Sequence, residues 1–317
     1  MHAQELSPAL LHDARLMIDA LMADLGALQR FELTTTRDER LPAGPDPAVA
    51  VGGREPVWDI WHRCLCNADA AWFIAPETDG VLLQIRQLAD AAGCRFLGCG
   101  PEAIKIASSK KACADYLGKW DIPIVPTRWA GEGLPASDSG WVVKPDDGAG
   151  CESTRYITEA RQFESWKNNE KAPQRFVVQP RVDGIPASLS VVYHEGRARL
   201  LAANLQHVRF VDGLVVHAGV TVNGLRQKRE ELQELALEVG KRLPGLQGYV
   251  GIDFILTDAG PVLVEINPRL TTSYAGLSRS LKQNAAGVIL RHTGVLGPGE
   301  EQEFYPYQPV TLHSHHA

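Results

Sequence analysis

"GYVGIDFILTDAGPVLVEINPRL", residues 248–270, holds two apolar runs on either side of Asp258-Ala259-Gly260. Such a loop suits a three-residue hairpin with glycine in the left-handed position. Pairing Thr257 with Pro261 then sets a register in which Asp253 stands opposite Glu265. Side chains alternate across a strand, so Asp253, Glu265 and Asn267 share one face. Phe254, Leu256, Val262, Val264 and Ile266 share the other, a core face. Directly opposed residues stand roughly 4.5–5.5 Å apart at Cβ, where like charges repel. Two carboxylates and an amide oxygen at one spot therefore need a cation, and an all-oxygen set favours a hard ion such as Mg2+. A solvated sheet face with incidental acids is the alternative. Pro268 ends the strand, and Arg269, Thr271, Thr272 and Ser273 follow at once.

Upstream, "VVKPDDGAG" (142–150) is an apolar strand that ends in Lys144 and a glycine loop. Glycines let backbone N–H groups approach an anion closely, and a lysine at the strand end adds a point charge for phosphates. A plain β-turn after an edge strand explains the loop equally well. No GxxxxGK[ST] loop is present, since Gly118-Lys119 and Gly240-Lys241 are followed by Trp120 and Arg242. "GCGPEA" (98–103) reads as a strand-to-helix turn rather than a dinucleotide fingerprint.

Working outward, the first hundred residues alternate strand and helix, with "AAWFIAPE" (70–77) and "CRFLGCG" (94–100) flanking a helical pattern. That order predicts a parallel, doubly wound unit. Ser7-Pro8 reads as a cap and first turn of a leading helix that stops at Gly26, and residues 37–56 read as an exposed connection. From about residue 121 the texture is β-rich and antiparallel, interrupted by an amphipathic helix over 226–246 with Leu232, Leu235, Ala236, Val239 and Leu243 on one face.

The 317 residues are 44% hydrophobic and 22% charged with a net charge of −6. This composition argues for a globular chain and against a nucleic-acid surface. No apolar run reaches the ~18 residues of a membrane span and no secretory leader is visible, so a cytoplasmic location is expected. The six cysteines form no paired CxxC set and read as reduced structural thiols, and the closing "HSHHA" reads as a polar tail.

These pieces together resemble the ATP-grasp superfamily of carboxylate–amine ligases, over about residues 70–280. "SSKKACADYLGKWDIPIVPT" (108–127) is similar to the family's lysine-bearing helix and linker. "VVKPDDGAG" is similar to its lysine strand and lid, and "VVQPRVDG" (177–184) to its hinge strand. "GIDF" and "VEINPR" are similar to its two metal-ligand strands. The resemblance implies an α/β fold with α+β lobes: an N-terminal doubly wound pre-ATP-grasp domain (1–106), a small antiparallel lid with its linker helix (107–190) and a C-terminal sheet lobe carrying metal and substrate (191–317). It implies ATP and Mg2+ as ligands, with Mn2+ as an alternative ion. Lys110 and Lys144 would meet the ATP phosphates beneath a lid of Gly148, Ala149 and Gly150. Gln179 and the backbone of Arg181 and Val182 would meet adenine, and Asp253, Glu265 and Asn267 would hold the metal. Many relatives carry an acid after the hinge glycine for the ribose, whereas this chain has Ile185-Pro186-Ala187 there.

"IAPETDG" (74–80), "NLQ" (204–206) and "EINPRLTTSY" (265–274) are more narrowly similar to the tyramine–glutamate ligases of methanofuran biosynthesis. Such proteins usually open with a strand and a glycine-bearing loop, whereas this chain opens on a helix. The resemblance implies small-molecule partners, an amine and an amino acid, and admits a homodimer. Glutamate would be activated as an acyl phosphate and attacked by tyramine or tyrosine. Arg269, beside the last metal ligand, suits the carboxylate or acyl phosphate, with a surface salt bridge as its alternative. Glu77, at a strand end of the N-terminal unit, is expected to hold a substrate ammonium or to serve as an ordinary helix N-terminal acid. Asn204, Gln206, Thr271 and Thr272 complete the expected substrate site.

Overall fold

The computed structural model describes residues 8–42, 48–297 and 308–314. The expected cap at Ser7 and the tail from His315 lie outside the described residues. Helix α1 (Pro8–Leu28) buries Met17 and Leu21. It runs through Gly26 rather than stopping there, and ends where Gln29 turns left-handed at φ 51° with its N–H on the Gly26 carbonyl at 3.1 Å. One glycine costs only about 1 kcal/mol in a helix, less than the packing of this face returns.

The N-terminal unit follows with β1 (Thr35–Asp38), β2 (Ala48–Val51), α2 (Val57–Cys66), β3 (Ala70–Ala71), α3 (Val81–Ala91), β4 (Arg95–Phe96) and α4 (Pro101–Ala107). Its strands form two parallel pairs, β1 with β2 and β3 with β4. Residues 37–56 are therefore not wholly a connection, because the apolar run Ala48–Val51 pairs as a strand.

The remainder comprises α5 (Lys110–Leu117), β5 (Arg128–Trp129), β6 (Trp141–Pro145), β7 (Arg155–Ile157), α6 (Ala160–Asn169), β8 (Phe176–Pro180), β9 (Ile185–His194), β10 (Arg197–Val211), β11 (Leu214–Val222), α7 (Arg229–Arg242), β12 (Gly248–Thr257), β13 (Gly260–Asn267), α8 (Leu277–Leu281), α9 (Ala285–His292) and β14 (Val310–His313). Its strands make one ten-stranded sheet in the order β13-β12-β9-β10-β11-β7-β6-β8-β5, with β14 added against β11. The lid strands join the larger lobe through a thin seam, the single β7–β11 pair Arg155 with Leu214. A boundary drawn after residue 190 falls inside β9, whose length pairs with β10 and β12, so this strand belongs to the larger lobe.

Both faces of that lobe are covered, which explains the continuous apolar runs in its strands. Leu189, Val191, Val250 and Ile252 pack toward the N-terminal unit and α7. Val192, Leu201, Val220 and Tyr249 pack toward α1 and the helices after β13. The expected face of α7 is the buried one, carrying Leu232, Leu235, Ala236 and Val239, with Leu243 buried just past the helix end. Burial pushes the Cys99 and Cys113 thiols up to about 12, in keeping with packing rather than reactive groups. Among the described residues no helix is long and apolar enough to cross a membrane.

Candidate active site

The β12–β13 hairpin turns through two residues, not three, since Thr257 pairs with Gly260. An extra residue on β13, Val264, bulges between the pairs Asp253 with Glu265 and Phe254 with Leu263, which shifts the register by one and restores the first of these pairs. The outer edge of β13 explains where the slip sits. The linker before β5 clamps it, with Val125 N–H on the Leu263 carbonyl at 2.9 Å and Leu263 N–H on the Pro123 carbonyl at 2.8 Å. The expected core face is corrected accordingly. Leu263 is fully buried, whereas Val262 is only half-buried and Val264 lines a cavity. The bulge re-aims the chain beside the acids, a common use of such irregularities.

That cavity, of about 430 Å³, runs between the lid and the larger lobe, and Asp253, Glu265 and Asn267 all line it. Asn267 Nδ2 donates to Asp253 Oδ2 at 3.1 Å. Lys144, at the end of β6, donates to Glu265 Oε2 at 3.0 Å, and Lys110 Nζ stands 3.6 Å from the same oxygen. Both lysines are buried. Lys110 opens α5, whose first turn is held by Ser109 accepting from Ala112 N–H and Asp146 accepting from Lys111 N–H. Its ammonium also donates to the Gly148 carbonyl at 2.8 Å, so the glycine lid is tied to the helix.

Burial raises the Asp253 carboxyl far above the usual range, and the Glu265 carboxylate adds to that. Burial opposes ionisation of Glu265 too, but Lys110 and Lys144 overcome it and hold this carboxyl well below its usual value. The face thus balances one acid and not the other. A divalent cation taken by these oxygens would correct that, so the residues fit the expected Mg2+.

The sign of the pH effect follows. A raised carboxyl favours folding below its ordinary pKa and loses that contribution as pH rises, while a lowered one is ionised in both states only above its ordinary pKa, where it adds no further dependence on pH. In Mg2+-free buffer, Asp253→Asn is expected to unfold at higher urea than the wild type at about pH 8, with the advantage gone at about pH 4. An equal shift at both pH values would refute the assignment.

Farther along the cavity, Gln179 of β8 is buried and donates to Thr127 Oγ1 at 2.9 Å. The Arg181 N–H is already used by the Gly140 carbonyl at 2.9 Å, and its guanidinium lies over the Tyr156 and Phe210 rings. Val182, Gly148 and Gly150 line the cavity, while Ala149 is not among its lining residues.

The ATP-grasp domain profile matches residues 107–273, more than half of the chain, and a pre ATP-grasp 3 domain profile matches residues 31–104. The chain belongs to the ATP-grasp family. It is 29% identical over 214 residues to the tyramine–L-glutamate ligase of Methanocaldococcus jannaschii, covering 67% of this chain and 59% of that one. The namesake of Methanocaldococcus fervens is 29% identical over 212 residues, covering 66% and 61%. The chain therefore spans about three-fifths of the length of these relatives. An ATP-grasp superfamily protein from Archaeoglobus fulgidus has a similar structure, with TM-score 0.71 and 23% identity over 90% of this chain and 83% of that one. The L-amino acid ligase of Bacillus licheniformis has TM-score 0.71 at 14% identity, covering 93% and 76%. At these identities the likeness establishes the fold.

In this ATP-grasp chain the remaining expected residues part company. Arg269 lines the cavity, but Glu77 does not. Glu77 is buried against Arg269, whose Nε donates to Oε2 at 2.9 Å, so the acid expected to face an ammonium is already partnered. Thr271 and Thr272 line the cavity, and Tyr249 OH bonds both Thr271 Oγ1 at 2.8 Å and Ser190 Oγ at 2.9 Å. Asn204 is fully buried below that surface, donating to Ser190 at 3.1 Å and accepting from Asn223 N–H at 3.2 Å. Gln206 does reach the cavity, with Oε1 2.7 Å from His217 Nε2. Sequence reasoning missed Thr127, Ser190, His217 and Tyr249. Only Tyr249 carried a signal, as the aromatic at the start of the strand that bears Asp253.

Proposed function

We propose that this protein is an ATP-dependent carboxylate–amine ligase that joins the γ-carboxylate of glutamate to the amine of tyramine or tyrosine, in methanofuran-type cofactor biosynthesis. The observation that carries the reading is the convergence of Lys110 and Lys144 on Glu265, opposite Asp253, inside one cavity. A half-buried acid flanked by two buried ammoniums and a second, unbalanced acid is costly unless ligands rearrange the charges. A nucleotide triphosphate draws the lysines onto its phosphates and frees Glu265 for a cation. The 29% identity to two tyramine–L-glutamate ligases supports the substrate class.

The family resemblance supplies the proposed roles. Gln179 and the backbone of Arg181 and Val182 hold adenine. Lys110 and Lys144, under the lid of Gly148, Ala149 and Gly150, neutralise the phosphates. Asp253, Glu265 and Asn267 hold Mg2+, which supplies charge neutralisation to the phosphoryl group in transfer. Arg269, oriented by Glu77, takes the carboxylate, and Thr271 and Thr272 flank it. In the first half-reaction a carboxylate oxygen bonds the γ-phosphorus and the bond to ADP breaks. In the second the amine nitrogen bonds the acyl carbon, phosphate leaves and the nitrogen loses a proton.

The test is mass spectrometry of reactions holding glutamate, ATP, Mg2+ and either tyramine or tyrosine, with ADP measured in parallel. A γ-glutamyl amide with equal ADP is expected. ATP binding without ADP release for any acid and amine would instead favour a nucleotide-binding regulator, while an amide from another pair would move the substrate within the same class.

A further inference from the structure

Paired residues form rows across the cavity face of the larger lobe. The row that holds the acids runs Glu265, Asp253, Ser188 and Asn204 over β13, β12, β9 and β10. Two residues along each strand, about 7 Å away, the next row stands on the same face. Ile255 pairs there with Pro186, and Gln206 follows one step beyond the last β9–β10 pair, Leu205 with Ala187. All three line the cavity. This second row lies on the hinge side of the acids. Gln179, Arg181 and Val182 line the cavity, then Gly184 and Pro186, and two residues later Ser188 stands opposite Asp253. A nucleotide with its base at the hinge and its phosphates at the acids lays its ribose over this row. Ile255 and Pro186 carry no side-chain donor or acceptor, and Gln206 carries both.

The amide of Gln206 is also held. His217 of β11 pairs with Val208, which puts the imidazole diagonally across from Gln206 on the same face. Its Nε2 stands 2.7 Å from Gln206 Oε1. That oxygen can only accept, so the ring nitrogen donates and the amide Nε2 is left for a ligand. Among the described residues none accepts from it. Burial lowers the His217 pKa, so the ring is neutral near pH 7. His217 is fixed in turn by β14, which lies beyond the residues matched by either family profile. Ser314, just after that strand, has its N–H on the Ala218 carbonyl at 3.1 Å. Its Oγ donates to the His217 carbonyl at 2.8 Å and stands 3.3 Å from Nδ1. Val208 and Phe210, farther along the cavity side of β10, are apolar, so Gln206 is the polar point of this wall.

We propose that Gln206 donates through its amide to a ribose hydroxyl of the bound nucleotide, and that His217, held by the C-terminal strand, is the positioning residue that aims it. The inference rests on the ATP-dependent reading above. It moves Gln206 from the expected amino-acid site to the nucleotide, and it gives β14 a part in nucleotide recognition.

The experiment measures Kd by titration calorimetry for ATP and for dideoxy-ATP, which lacks both ribose hydroxyls, each with Mg2+; it needs no turnover. The wild type is expected to bind ATP more tightly than dideoxy-ATP. Gln206→Leu raises the Kd of ATP roughly 3- to 10-fold, the loss of one hydrogen bond, and leaves that of dideoxy-ATP as in the wild type. His217→Phe moves ATP in the same direction by a smaller factor, again without moving dideoxy-ATP, and His217→Asn, which keeps a side-chain donor, recovers part of the difference. Matched thermal melting of all four proteins separates recognition from folding. Equal binding of the two nucleotides by the wild type, an unchanged Kd of ATP in Gln206→Leu, an equal loss for both nucleotides, or a change confined to the KM for glutamate would overturn the assignment while leaving the ligase reading intact. Failure of the wild type to bind ATP at all would overturn the ligase reading and this inference with it.

Discussion

Glu265→Gln is expected to lower ADP formation by at least about 10³-fold, because the change removes the carboxylate on which both lysines converge and which is proposed to hold the cation. Gln keeps the shape and an acceptor oxygen but not the charge. Lys144 at 3.0 Å and Lys110 at 3.6 Å, both buried, lose their counter-ion in the unliganded protein. Breaking a buried pair from one side costs about 3–5 kcal/mol, and the retained hydrogen bond places this case at the lower end. Urea unfolding and steady-state turnover should therefore both fall. Full turnover in the variant would refute the metal assignment.

The second large effect concerns Arg269 and Glu77. Arg269→Gln strands a carboxylate that is 5% exposed, and a stability loss of about 3–5 kcal/mol is expected. The double variant Glu77→Gln/Arg269→Gln removes both charges and should recover most of that stability. Turnover should not recover, because a guanidinium is still missing from the cavity. Glu77→Gln alone keeps the guanidinium but loosens its aim, so kcat is expected to fall less than in Arg269→Gln. Return of activity in the double variant would show that the pair is structural only.

Much of the site was legible because it lies on local patterns. The acids of β12 and β13 alternate with core residues over a few positions, and the lysines sit where apolar runs end. The pair Asp253 with Glu265 was expected from an unbroken register and is reached through a two-residue turn plus a bulge. Two shifts of one residue cancel at the acids but not between them, which is why Val264 faces the cavity and Leu263 the core. The bulge was not legible because its cause, the clamp from residues 123–125, comes from a segment more than a hundred residues away.

Glu77 and Asn204 illustrate the same limit. Each has a residue type that suits a substrate, but neighbours from distant strands claim it first: Arg269 for one, Ser190 and Asn223 for the other.

What the sequence determined by itself was the β-rich texture after residue 121, the lysines and glycines that end its apolar runs, and the opposition of Asp253 to Glu265, since these depend on the two-residue period of a strand and on chain chemistry. What only the tertiary structure decided was which polar groups remain available to a ligand. That choice is made by burial and by competition for hydrogen bonds between distant segments, and a buried polar group goes to the partner nearest in space, whatever its place in the chain.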